Sequence, residues 1–341
     1  MKTSDFDYYL PAALIAQEPA PRRDESRLMV IYREKPGVAH RLFKDVVDYL
    51  KAGDLLVIND TRVIPARLTG RKPAGGAEVE VLLLKPLCSR RWEALVRPGK
   101  RAKPFTRLAF GNGLFTGVIL GATEFGGRVI EFSYEGSFEN LLQETGRMPL
   151  PPYIKEYAGD PRRYQTVYAR QEGSVAAPTA GLHFTEELLE KIRRKGVEIR
   201  TILLHVGLGT FRPVTAENIT GHYMHAEQFE VGEETVRAVK AVREREGRVV
   251  AVGTTTVRCL ETAAREGGYL SPGKGWTDLF IYPGYCFKVT DAMITNFHLP
   301  RSTLLMMVSA FAGREKILAA YRTAVDERYR FFSFGDAMLI L

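Results

Sequence analysis

The strongest constraint on the fold is a change of rhythm within the chain. Between about residues 63 and 135, short apolar runs at 77–84, 92–96, 107–110, 115–120 and 128–132 follow one another with no helical pattern between them. The links Gly75-Gly76, Gly111-Asn112-Gly113 and Gly126-Gly127 supply the positive φ angles that tight hairpins require. Closely spaced strands without helices predict a small barrel or sandwich.

On either side of this stretch, strands and helices alternate. An apolar strand at 54–58 follows a helix at 42–50. A short capped helix after Ser137 stops at Gly146, and an extended proline-rich return follows. Beyond residue 175 the pattern predicts helices at 185–195, 233–246, 255–265, 302–312 and 314–329. The predicted strands are 197–205, 248–252, 279–282, 292–295 and 337–341. Alternation of this kind implies a largely parallel sheet or barrel with helices outside, its ligand at the carboxyl ends of the strands. The expected fold class is α/β, with a barrel-like main domain (1–62 and 148–341) and an inserted all-β barrel domain (63–147). At 341 residues the chain is long enough for such a division.

Five of the six histidines fall between His183 and His298, and His183, His205, His222 or His225, and His298 sit in segments rich in glycine, proline or asparagine. Such segments mark strand ends and loops that approach a ligand. Strand 248–252 runs into Gly253-Thr254-Thr255-Thr256, whose unpaired N–H groups and hydroxyls suit an anion or carboxylate, or ordinary capping. The segment His205-Val206-Gly207-Leu208-Gly209-Thr210-Phe211 reads either as a ligand-approaching loop or as a glycine bend. Asp291, Asn296 and His298 offer a carboxylate, an amide and an imidazole around one strand end, as an acid–base pair or a strand-end hydrogen-bond network. His222 and His225 stand three, not four, residues apart, so helical zinc geometry is missing and no metal is expected. Neither a dinucleotide fingerprint nor a phosphate-loop motif is present.

A net charge of +8 permits a nucleic-acid partner without requiring one. Three widely spaced cysteines suit a reducing cytosol, and the start of the chain carries no apolar signal core. Cytoplasmic location, no membrane association and a monomeric state are the expectations.

Long motifs then place the chain beside a known family. They include Asn59-Asp60-Thr61-Arg62-Val63-Ile64-Pro65, Ala177-Pro178-Thr179-Ala180-Gly181-Leu182-His183-Phe184, His222-x-Met224-His225-x-Glu227, Val252-Gly253-Thr254-Thr255, Thr295-Asn296-Phe297-His298-Leu299-Pro300 and Phe334-Gly335-Asp336-Ala337-Met338. In this order and over essentially the whole chain, the sequence resembles the S-adenosylmethionine:tRNA ribosyltransferase-isomerases of queuosine biosynthesis. The resemblance implies an α/β-barrel-like domain with an inserted β-barrel. It also implies that S-adenosylmethionine is consumed as a ribosyl donor, a co-substrate in a reaction with no true cofactor. The acceptor would be tRNA carrying 7-aminomethyl-7-deazaguanine in the anticodon, and the products epoxyqueuosine-tRNA, adenine and methionine.

That chemistry needs a base to remove a C5′ proton beside the sulfonium and an acid to assist departing adenine. His183, His205, His298 and Asp291 are the catalytic candidates. Asp60, Arg62, Thr179, Gly181, Gly207, Gly209, Thr210, Glu227, Gly253, Thr254, Thr255, Arg258 and Asn296 are the substrate-binding candidates. Within that set Asn296, with Asp291, would orient the ribose hydroxyls. The Thr254–Thr256 helix start, with Arg258, would hold the methionine carboxylate. Arg90, Arg91, Arg97, Lys100, Arg101 and Lys103 are either a tRNA contact or a solvated basic loop. A plain RNA-binding module and a metal-dependent hydrolase are the rival classes; adenine release and chelator sensitivity separate them.

Overall fold

The computed structural model describes all residues except 74–75, 124–125, 156, 158, 208–213, 215 and 265–268. It divides into two compact units. The first comprises Met1–Thr61, Pro152–Gln171 and Ala177–Leu341, and the second Arg62–Pro151 and Glu172–Ala176.

The first unit holds β1 (Arg27–Ile31), β2 (Val38–Leu42) and β3 (Leu55–Asn59). The chain passes to the second unit within β4 (Thr61–Val63). There β5 (Arg67–Arg71), β6 (Glu78–Cys88), β7 (Arg91–Arg97), β8 (Arg107–Phe110), β9 (Phe115–Ala122) and β10 (Arg128–Ser133) close into a barrel, in the order β10-β7-β6-β5-β8-β9. The expected hairpin between β8 and β9 is present, with Gly111, Asn112 and Gly113 all at positive φ. Inside the second unit, Phe110, Phe115, Phe132 and Phe138 pack on one another and are buried. Phe138 opens α2 (Phe138–Thr145), which is capped by the Ser137 hydroxyl. The short α1 (Val46–Tyr49) lies earlier in the chain, where the sequence predicts a longer helix at 42–50; a 3-10 turn takes its first residues.

After β11 (Gln171–Ser174) the chain continues in the first unit with α3 (Glu186–Arg194), β12 (Glu198–Leu204), β13 (Glu227–Val231), α4 (Glu233–Glu244), β14 (Val249–Val252) and α5 (Thr254–Ala263). It ends with β15 (Gly273–Thr277), β16 (Ala292–Asn296), α6 (Thr303–Ala312), α7 (Arg314–Asp326) and β17 (Ala337–Ile340). Nine strands form one mixed sheet in the order β15-β13-β12-β3-β14-β16-β17-β1-β2. The α/β class with a separate all-β barrel is therefore as the sequence indicates.

The strands β12, β3, β14 and β16 are mutually parallel, and β3, β14 and β16 are buried along their whole length. Their near-continuous Val, Leu, Ile and Ala runs are what a strand covered on both faces requires. Parallel register puts the carboxyl ends of these strands, at Asn59, Leu204, Val252 and Asn296, along one edge. On one face, α3 buries Leu188, Leu189 and Ile192 in a core with Leu56, Val250 and Ile294. α3 begins at the Thr185 cap, with Glu186 and Glu187 in the first turn and basic residues in the last.

Two features depart from the sequence expectation. Residues 279–282 form no strand: the Leu279 carbonyl accepts from Arg258 instead of a sheet neighbour. Strands β1, β2, β13 and β15 are not among the expected strands: β1 carries a legible apolar run, Leu28-Met29-Val30-Ile31, whereas β2 and β15 are the sheet's edge strands, with weaker apolar patterns. The end of the expected helix at Arg265 lies outside the described residues.

Candidate active site

The edge formed by the carboxyl ends of the parallel strands carries a pocket, lined by Thr179, Gly253, Thr254, Thr255, Thr295, Asn296, His298, Tyr153, Phe332 and Ser333 among others. Roughly 650 Å3 of atom-free space lies within it, part of it open to solvent. Among the described residues, the lining contains no Asp, Glu, Lys or Arg. Neutral hydrogen-bonding groups, a helix end and aromatic surface line it.

Asn296, the last residue of β16, is held from two sides. Its side-chain amide donates to the Phe332 carbonyl and to Nε2 of His183, each at 3.1 Å. Both amide hydrogens are thereby used, and Oδ1 accepts from the Thr179 hydroxyl at 3.2 Å. Because Nε2 of His183 accepts, its Nδ1 carries the proton and donates to Ser26 Oγ at 2.7 Å. Burial, reinforced by the charges of Arg330 and Arg23, lowers the His183 pKa to about 3. The ring stacks on Phe43 and does not line the pocket. His183 therefore lies behind Asn296, with both nitrogens engaged by protein groups.

His298 is the histidine that lines the pocket. Burial lowers its pKa to about 3, so the ring is neutral at physiological pH. Nε2 pairs with the Thr295 hydroxyl at 3.0 Å, and the His298 backbone is fixed by the hydroxyls of Tyr321 and Tyr8. Among the described residues no group bonds Nδ1. His205 follows β12 at the same sheet edge; its Nδ1 pairs with Thr61 Oγ1 at 2.8 Å, and burial lowers its pKa.

The third component is the start of α5. Gly253 has φ of +89°, a conformation that admits glycine and strains other residues. The first N–H groups of α5 have no partner within the helix, and Gly253, Thr254 and Thr255 line the pocket. The Thr256 hydroxyl, by contrast, turns back to the Val252 carbonyl and is not available to a ligand.

Other candidates stand elsewhere. Asp291 precedes β16 and so lies at the opposite end of the strand from His298. It is bound to the Arg243 guanidinium at 2.9 Å and accepts from the Val249 N–H at 2.7 Å. The expected Asp291–His298 acid–base pair is not formed, because a whole strand separates them. Arg258 does not reach the pocket: it makes a buried ion pair with Glu227 and donates to the carbonyls of Leu279 and Thr277. Glu227 also accepts from the Gly207 N–H at 2.8 Å, so both residues, with Gly207, belong to one internal network.

Gly181 makes room for protein rather than ligand, since a Cβ there would stand 2.0 Å from the Tyr168 hydroxyl. Asp60 is buried, which raises its carboxyl pKa, and its backbone carbonyl accepts from Arg170 and Gln171. Arg62 is half-exposed beside Glu172 at 3.5 Å. Gly209 and Thr210 lie outside the described residues.

The basic stretch is split along β7. Arg90 and Arg91 are at its start, where Arg90 lies over the Tyr134 ring and Arg91 is paired with Glu131 at 2.7 Å. Arg97, Lys100 and Lys103 are at and beyond its end, all exposed; nothing is described for the Arg101 side chain. Strand geometry puts about 20 Å between the two ends.

Several groups in the pocket lining, and Asn59 behind it, are not singled out by the sequence. Tyr153 and Ser333 share a short hydrogen bond, and Phe332 packs against Tyr153 with a φ of +71°. Asn59 joins the backbone of Leu204 to Thr255 Oγ1. A polar amide ending an apolar strand is the available signal for Asn59. Nothing in the sequence marks Phe332.

A pocket on the carboxyl ends of parallel strands, walled by a glycine-started helix, is the place where open α/β sheets commonly bind their ligands. The chain belongs to the queuosine biosynthesis protein family, whose model matches residues 3–340. It is 64% identical, over the full length of both chains, to the S-adenosylmethionine:tRNA ribosyltransferase-isomerase of Pelotomaculum thermopropionicum. It is 61% identical, again over both full lengths, to the protein of that name from Symbiobacterium thermophilum. A crystal structure of S-adenosylmethionine tRNA ribosyltransferase from Thermotoga maritima is similar over 99% of this chain and 100% of its own, at 45% identity and a TM-score of 0.57.

Proposed function

We propose that this protein transfers and isomerises the ribosyl group of S-adenosylmethionine onto the 7-aminomethyl-7-deazaguanine base of a tRNA anticodon. Epoxyqueuosine-tRNA, adenine and methionine are the products. The observation that carries this reading is the junction of His298, Asn296 and the α5 start in one uncharged pocket, in a chain whose full-length relatives carry that enzyme's name.

In this reading the α5 N–H groups and the Thr254 hydroxyl hold the methionine carboxylate, a use of a helix start that needs no cation. Asn296 Oδ1 accepts from a ribose hydroxyl, its amide being locked by His183 and Phe332. His298 Nδ1 faces the reacting centre. Burial makes this ring a weaker base than a free imidazole, and the proton it takes at C5′ is one that the neighbouring sulfonium acidifies. The proton then becomes available for the departing adenine, or His205 at the neighbouring strand end supplies it. The aminomethyl nitrogen attacks the ribose, and methionine leaves as the epoxide closes. His183 acts through Asn296 and is a positioning residue.

No described helix is long and apolar enough to cross a membrane. A tRNA substrate puts the site of action in the cytoplasm, and the barrel's exposed cations are its proposed contribution to holding the tRNA. Incubation with S-adenosylmethionine and tRNA bearing the aminomethyl base should release adenine and methionine in equal amounts. Absence of adenine release from a folded protein refutes the reading.

A further inference from the structure

Following β7, the turn Lys103-Pro104-Phe105-Thr106 is closed by the Thr106 N–H donating to the Lys103 carbonyl at 3.1 Å. Proline is the second residue, and Phe105, the third, has φ of +64°. That is the type II arrangement, whose third position favours glycine because side chains there strain the backbone. A phenylalanine with positive φ is a true outlier. Burial does not compensate it, for Phe105 is 82% exposed. The Phe105 N–H donates to the Ile119 carbonyl at 2.7 Å, so the turn is anchored to β9 and presents the ring outward from a fixed base. Packing and turn preference would both remove this phenylalanine, which leaves an external partner as the reason for it.

Its surroundings indicate the partner. From Arg97 to Arg107 there are five cations, and no Asp or Glu occurs between Glu93 and Glu124. Arg97, Lys100, Lys103 and Arg107 are exposed and make no ion pair with any described residue. An exposed aromatic ring on an anchored turn, among uncompensated cations, matches the two requirements of single-stranded nucleic acid, a π surface for a base and positive charge for the backbone. A duplex offers the phosphates but keeps its bases stacked and out of reach.

We infer that Phe105 is a base-stacking residue, and that this turn of the barrel binds an unpaired nucleotide of RNA. The inference rests on the reading that tRNA is the substrate and adds to it the form of RNA this surface takes.

Phe105→Gly is the informative variant, because glycine suits the turn and should leave the thermal midpoint unchanged or higher. Full-length wild type, Phe105→Gly and Phe105→Trp would be titrated with a labelled tRNA anticodon stem-loop and with a blunt RNA duplex of equal length. Phe105→Gly should weaken stem-loop binding by about 5- to 150-fold, the range that removal of one stacked base produces. Phe105→Trp should bind like wild type, and duplex binding should not respond. Stem-loop binding by Phe105→Gly within about twofold of wild type, or an equal weakening on the duplex, overturns the proposal. A wild type that releases no adenine yet binds the stem-loop through Phe105 refutes the catalytic reading alone. Normal turnover with Phe105-independent binding refutes this one alone.

Discussion

The side-chain amide of Asn296 donates to Nε2 of His183 at 3.1 Å, which fixes a neutral histidine as the orienting partner of the pocket's amide. Asn296→Asp replaces that donor with an acceptor facing an unprotonated nitrogen. A carboxylate there favours the cation, so the His183 pKa should rise from about 3 toward its ordinary range. Without the fixed Oδ1 geometry, kcat/KM for S-adenosylmethionine should fall by roughly tenfold to a hundredfold. NMR titration of the His183 ring checks the first effect; an unmoved titration would show that the two residues are not coupled.

His298 and Asp291 should separate cleanly, since they occupy opposite ends of β16. His298→Ala should lower kcat by about 100- to 10,000-fold, the usual contribution of a proton-transfer group. Asp291→Asn leaves the pocket intact but weakens the links to Arg243 and the Val249 N–H. It should keep kcat within about threefold and lower stability by roughly 1–3 kcal/mol. Single-turnover adenine release and urea melts measure the two; equal reductions of kcat would restore Asp291 to the reaction.

The same burial that keeps His183 and His298 neutral sets an acid sensitivity. Both have folded pKa values near 3 against 6.5 for an unperturbed ring. Between those values the unfolded chain binds more protons, so stability falls as pH drops below about 6.5, by about 1.4 kcal/mol per pH unit for each ring. Above about pH 7 neither ring contributes a slope. Urea melts of wild type and of the His183→Gln/His298→Gln double variant should diverge in slope from about pH 6.5 to 5. Parallel slopes would mean the rings are not held neutral.

How far the sequence carries can be judged from the same residues. The strand ends at Val252 and Asn296 are legible because apolar runs meet Gly253 and Asn296-Phe297-His298, and parallel register then aligns them. The barrel is legible because its glycine links state their own backbone angles. Direction along a strand is not: Asp291 and His298 are seven positions apart, and only the β16 bounds show that they end on opposite edges. Nor can charge reveal its partner. Arg258 reads as a free cation near a carboxylate site, whereas Glu227, distant in sequence, already neutralises it. Phe332 takes its place through a strained backbone that no residue type announces.

Glu227 and Arg258 are each about 4% exposed, and their pairing makes a prediction about stability rather than binding. Removing either partner strands a buried charge, so Glu227→Gln or Arg258→Met should lower stability by about 3–5 kcal/mol. The Glu227→Met/Arg258→Met double variant should regain most of that deficit. In variants that fold, KM for S-adenosylmethionine should change less than about threefold, because the proposed reading gives the carboxylate to the α5 start. A large KM increase in Arg258→Met at preserved stability would return Arg258 to the substrate.

The divided basic stretch gives an electrostatic test. Each cation that meets a phosphate adds about 0.7–0.9 to the log–log slope of binding against salt, and its removal takes the same amount away. Arg91 is bound to Glu131, which raises its pKa through the shared hydrogen bond, so Arg91→Ala should leave the slope for tRNA binding nearly unchanged. Joint replacement of Arg97, Lys100 and Lys103 by alanine should lower the slope by about two if each of these exposed cations meets the backbone. Filter binding across a salt series distinguishes the ends of β7. A larger change from Arg91→Ala than from the triple variant would place the tRNA at the other end of the strand, beside Arg90 and Tyr134.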